Sequence, residues 1–155
     1  AVQGAALAGG CGLATVTDLC FASEQATFGY TEARIGFVPA IVMAYLLKKT
    51  SIQLARELML TAKIIDAKRA YEVGLVTEVL PPEDFEDLVI SQVQKLIHST
   101  SGQSIALTKE MLRTIPAMQH KEALKYAAQL NAKARSSKDC IRGMDAFLNK
   151  EKLDW

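Results

Sequence analysis

The sequence predicts an α/β chain, and two observations predict it. The first forty residues alternate small residues with short apolar runs, whereas the rest carries apolar residues at helical spacing. Half of the 155 residues are hydrophobic, which is enough to bury one core of ordinary size, in one domain or a piece of one.

Gly9 and Gly10 precede Leu13, Ala14 and Val16, a pattern that suggests a short helix entered from a glycine turn and ended by Asp18. Residues 19–22 and 26–28 are short apolar segments parted by Ser23, Glu24 and Gln25, which suits two strands. After Pro39, residues 41–49 read as a buried helix and 51–62 as a second, with Leu54 and Leu58 on one face. A turn follows, then Asp66 as the N-cap of a short helix through Val73, with Gly74 as its stop. Residues 75–80 read as a strand ended by Pro81 and Pro82. Glu83 and Asp84 are expected in the first turn of the next helix, where carboxylates favour the macrodipole. Phe85, Leu88, Val89, Val93 and Leu96 form its apolar stripe. Two more helices are predicted, over 103–115 and over 119–148 with a break near Asp139.

Charge and composition exclude several functions. Eighteen basic residues against seventeen acidic leave a net charge of +1, with no basic block to track a phosphate backbone, so no nucleic-acid partner is expected. The apolar run 41–47 stops at Lys48 and Lys49, well short of the roughly 20 residues of a bilayer span, so no membrane partner is expected either. Cys11, Cys20 and Cys140 have no paired spacing and read as thiols of a reducing compartment. Two histidines, His98 and His120, are too few for an imidazole metal site, and none is expected. The opening residues lack the charged start and apolar run of a secretory signal, and a cytoplasmic location is expected. The chain starts as if cut inside a folded element.

Two places carry chemistry. A helix beginning at Gly9 and Gly10 bares amide N–H groups that have no intrahelical acceptor, and the missing side chains let a ligand oxygen approach. That is half of an oxyanion hole; a tight turn or close packing explains the same glycines. Glu32 lies between Phe28 and Phe37 among aliphatic neighbours, a setting that favours proton transfer by disfavouring the charged carboxylate. Pairing with Arg34 on a solvated loop is the alternative.

The order of Val2-Gln3-Gly4, Ala8-Gly9-Gly10-Cys11-Gly12-Leu13-Ala14, Asp18, Ala22-Ser23, Phe28-Gly29, Glu32, Gly36 and Pro39 resembles the enoyl-CoA hydratase/isomerase, or crotonase, family. The likeness runs on through Leu58-Met59-Leu60-Thr61-Ala62, Gly74-Leu75-Val76 and Gly143-Met144-Asp145-Ala146-Phe147. The stretch from Gly29 to Ala40 looks like that of bacterial enoyl-CoA or methylglutaconyl-CoA hydratases.

The resemblance implies a ββα spiral, of which residues 1–80 would be the C-terminal part, and a helical region over 81–155 that builds homotrimers or homohexamers. The family's N-terminal part, with the second oxyanion donor, would lie upstream of Ala1, and this chain alone is expected to be inactive. The implied substrate is an acyl-CoA thioester, with no cofactor beyond the coenzyme A it carries. Gly9 would supply one oxyanion donor and Glu32 the proton-transferring acid, with Gly10, Tyr30, Phe147 and Lys150 binding substrate or coenzyme A. Two departures stand out. Gly12 occupies the place of a second glutamate found in hydratases, and Ala40-Ile41-Val42 replaces a glycine-rich stretch, which should make that wall more apolar. Hydration through a thioester enolate is the implied reaction; double-bond isomerisation by Glu32 alone, or a non-catalytic binding role, are the alternatives.

Overall fold

Strands in this chain are short because its apolar runs are short. The computed structural model describes residues 1–155. In chain order it contains β1 (Ala5–Leu7), α1 (Gly9–Val16), β2 (Phe21–Ser23), β3 (Thr27–Gly29), a 3-10 turn (Glu32–Ile35), α2 (Ala40–Lys49), α3 (Ile52–Thr61), β4 (Ile65–Asp66), α4 (Ala67–Glu72) and β5 (Glu78–Leu80). There follow α5 (Phe85–Ser99), α6 (Gly102–Thr114), a 3-10 turn (Ile115–Ala117), α7 (His120–Arg135) and α8 (Lys138–Asn149). The chain divides into two compact units, Ala1–Ile90 and Ser91–Trp155.

In the first unit β1 pairs with β3 in parallel, Leu7 facing Gly29, and β4 joins β3 antiparallel. A second sheet holds β2 parallel to β5. Parallel neighbours require a long crossover, and the segment containing α1 provides it between β1 and β3. The core beneath is built largely of small residues, Ala6, Ala14, Ala22, Ala26, Ala55, Ala67 and Ala70, around Phe28, Tyr30, Leu46 and Leu58. Alanines at these positions let helices lie close on the sheet, where each buried methyl still contributes apolar contact.

Helix boundaries follow local chemistry. Ser51 accepts the Leu54 amide at 3.2 Å and Asp66 accepts that of Arg69 at 2.7 Å, each satisfying a donor that its helix cannot. Gly74, at φ 79°, turns the chain so that the amides of Leu75 and Val76 both bond the Ala70 carbonyl, at 2.9 and 3.2 Å. That capture draws Leu75 and Val76 into the core and shortens the strand expected over 75–80 to β5.

Other expectations are corrected. Asp84 stands at φ 57°, outside the helix expected to include it; α5 begins at Phe85, and Glu86 and Asp87 occupy its first turn. The break expected near Asp139 falls at Ser136 and Ser137, where the Ser137 hydroxyl accepts the Cys140 amide at 3.1 Å and starts α8.

Within the second unit, Ser101 caps α6 through the Ser104 amide and donates to Asp139 at 2.5 Å. Tyr126 on α7 donates to Glu110 on α6 at 2.7 Å. Leu130 and Ala146 are buried, while Met144, Phe147 and Leu148 remain exposed on α8. No helix is long and apolar enough to cross a membrane.

Candidate functional site

Parallel pairing brings two chain exits to one end of a sheet. Leu7 and Gly29 are register partners at the ends of β1 and β3, and the Ala8 amide donates to the Gly29 carbonyl at 2.8 Å. From there one strand passes into α1 and the other, two residues beyond Tyr30, starts the turn that carries Glu32. Register therefore starts the helix and the segment carrying the acid from the same end of one sheet, although the two are far apart in sequence.

Ala8 makes the turn at φ 46°, ψ −121°, a combination that costs an L residue about 1–3 kcal/mol and is tolerated where surrounding structure enforces it. The first helical bond runs from the Gly12 amide to the Ala8 carbonyl at 3.0 Å, leaving the amides before it with no acceptor inside the helix. Gly9 and Gly10 are exposed, and a Cβ on either would meet nothing within 4 Å. The ground over this helix start is open to a ligand oxygen, as an oxyanion donor requires.

Glu32 is half-buried, and its Oε2 is buried with no hydrogen-bond partner. The solvated pairing with Arg34 is not adopted: the Arg34 guanidinium donates to the Ala62 carbonyl at 2.6 Å. An unpaired buried carboxylate oxygen costs free energy that a bound partner would recover.

A buried polar cluster joins α1 to the residue after β3. Tyr30 is fully buried, its hydroxyl 2.5 Å from Thr15 Oγ1, and Thr15 donates to the Cys11 carbonyl at 2.8 Å. Burial pushes the Cys11 thiol above its usual range, while hydrogen bonds from Tyr30 and Gly29 act the other way. Burial likewise pushes the Tyr30 phenol up, with the charges of Cys11 and Glu32 adding to it. Tyr30, expected among the ligand-binding residues, is fully buried, with no exposed ring face.

Gly12 is buried, and a Cβ there would stand 2.5 Å from Val42 Cγ2. Helix α2 thus fills the space beside the first turn of α1 with a methyl group. This contact, and the Tyr30–Thr15 link, had no signal in the sequence beyond the residue types. Phe147 and Lys150 lie in the second unit, Phe147 exposed on α8 and Lys150 capping it at φ 56°. No group of three or more His, Cys, Asp or Glu stands ready to hold a metal ion.

The whole chain, residues 1–155, matches the family described as enoyl-CoA hydratase/isomerase. A Thermus thermophilus protein provisionally named an enoyl-CoA hydratase is 36% identical over 97% of this chain and 59% of its own length. The mitochondrial enoyl-CoA hydratase of Pongo abelii is 33% identical over 100% of this chain and 53% of its own length. The crystal structure of a Mycobacterium smegmatis enoyl-CoA hydratase superposes with a TM-score of 0.92 at 25% identity, covering 99% of this chain and 60% of that one. The chain therefore spans a little over half the length of these relatives.

Proposed function

Because this chain belongs to the enoyl-CoA hydratase/isomerase family, we propose that the intact protein hydrates the double bond of an enoyl-CoA thioester through a thioester enolate. The observation that supports the reading is the Leu7–Gly29 register, which starts the open helix at Gly9 and the segment carrying the unpaired carboxylate oxygen of Glu32 from one end of the same sheet.

In this reading the thioester oxygen sits before α1 and accepts from the Gly9 amide, with Gly10 leaving the approach clear. As water oxygen bonds to the β carbon, the π electrons move toward the thioester oxygen, whose growing charge the amide stabilises. Glu32 then delivers a proton to the α carbon. A second donor and a group that accepts the proton of the attacking water would come from outside this chain. Coenzyme A belongs to the substrate, and no further cofactor takes part. Lys150 serves as a point charge for the coenzyme phosphates and Phe147 as an apolar contact. Homotrimers or homohexamers assembled through residues 81–155, acting in the cytoplasm, complete the proposal.

One observation favours a second reading. Val42 occupies the space beside Gly12, so position 12 offers neither a side chain nor room for one to position water. Glu32 alone can remove a proton at the α carbon and return one at the γ carbon, moving a β,γ double bond into conjugation. Crotonyl-CoA and a 3-enoyl-CoA, each incubated with the full-length protein and followed by absorbance of the conjugated thioester, separate the two. Loss of the crotonyl signal supports hydration, a gain from the 3-enoyl compound supports isomerisation, and neither change refutes both.

A further inference from the structure

Near the C-terminal end of α1 stands one buried hydroxyl, that of Thr15. Thr15 has a single hydroxyl proton, and the Cys11 carbonyl at 2.8 Å takes it. The 2.5 Å contact between the Tyr30 hydroxyl and Thr15 Oγ1 links the residue after β3 to the helix. Cys11 and Thr15 lie one turn apart on the buried face of α1, and Tyr30 is two residues before Glu32.

We propose that Tyr30 is a positioning residue for the reaction, acting through Thr15 and Cys11 to hold the Gly9 amide and the Glu32 carboxylate at a fixed separation. Two chain segments that merely paired as strands would share the backbone bonds of β1 and β3 and nothing after them. Here the tie continues past the strand ends: the phenol is anchored in the body of α1, so the helix cannot slide along its axis without breaking a fully buried bond. Such a bond is costly to leave unmade, since neither partner can turn to water. Tyr30 touches no open surface, which separates this role from ligand contact.

The inference rests on the enoyl-CoA reading, and its test tells the two apart. In the full-length enzyme, kcat and KM for crotonyl-CoA and a 3-enoyl-CoA are measured for the wild type, Tyr30→Phe, Thr15→Val and Thr15→Ser, with thermal unfolding of each. Displacement of a reacting group by a fraction of an ångström to an ångström costs about tenfold to a hundredfold in rate. Tyr30→Phe and Thr15→Val should each lose that much kcat with KM within about twofold, and the double variant should lose no more than either alone, the sign that they act as a unit. Thr15→Ser keeps the hydroxyl and should keep kcat. Lower thermal stability with unchanged kcat in both Tyr30→Phe and Thr15→Val would overturn the proposal, as would a rise in KM alone. Should Tyr30→Phe fail to fold, Thr15→Val and Thr15→Ser decide the matter by the same criteria. An inactive wild type would sink the enoyl-CoA reading itself, and this inference with it.

Discussion

Val42 Cγ2 lies 2.5 Å from the point where a Cβ on Gly12 would stand, so the glycine on α1 and the valine on α2 are a matched pair. Two opposing effects then act on Gly12→Ala. Alanine in a helix interior gains up to about 1 kcal/mol over glycine, whereas overpacking a filled site costs typically about 1–3 kcal/mol. Gly12→Ala should therefore destabilise the protein in denaturant unfolding. With Val42→Ala already in place the clash is gone, and the same change should become neutral or stabilising. A loss of equal size in both backgrounds would show that the pair is not matched.

Helix α4 hangs on one cap. Its six residues, Ala67–Glu72, are short for autonomous stability, and Asp66 accepts the Arg69 amide at 2.7 Å. Asp66→Ala should cost about 0.5–2 kcal/mol and Asp66→Asn much less. Equal losses from the two substitutions would assign the effect to charge instead of the cap.

The thiols give a pH dependence with a definite sign. Burial raises the Cys11 and Cys20 pKa values in the folded protein, so the folded state holds protons that the unfolded chain releases above about pH 8.5. The stability present below that pH should therefore decline as pH rises past it. In alkylation at pH 8, half-buried Cys140 should react first, with Cys11 and Cys20 protected until unfolding. Rapid native-state labelling of Cys11 would contradict its place on the buried face of α1.

Much of this fold was legible in the sequence where local chemistry decides. Asp66 as a cap, Gly74 as a stop and the helices around Leu46 and Leu58 follow from side-chain donors, φ freedom and apolar spacing, although the first of these helices, expected buried, buries only Leu46. What escaped depends on tertiary partners. β1 is Ala5-Ala6-Leu7, too short and too small to announce a strand without Thr27–Gly29 beside it, and the two residues of β4 are a strand only because β3 pairs with them. The left-handed turn at Asp84 after two prolines moved the start of α5 beyond the acids expected to open it.

The candidate site shows the same division. Glycines at a helix start and an acid among apolar neighbours were visible, as was the absence of a side chain at Gly12. That Arg34 turns to Ala62, that Val42 fills the space by Gly12, and that Tyr30 is buried against Thr15 are contacts between segments, and no local pattern encodes them.

The central claim is that Gly9 and Glu32 act on one thioester, and exchange at the α carbon tests it with neither hydration nor isomerisation in play. In deuterated water the full-length protein is incubated with butyryl-CoA, and the α-proton signal is followed by NMR. The wild type should wash deuterium into that position, and Glu32→Gln should slow the exchange by about 10²–10⁴-fold. No exchange with the wild type, or equal exchange with the variant, would contradict the account.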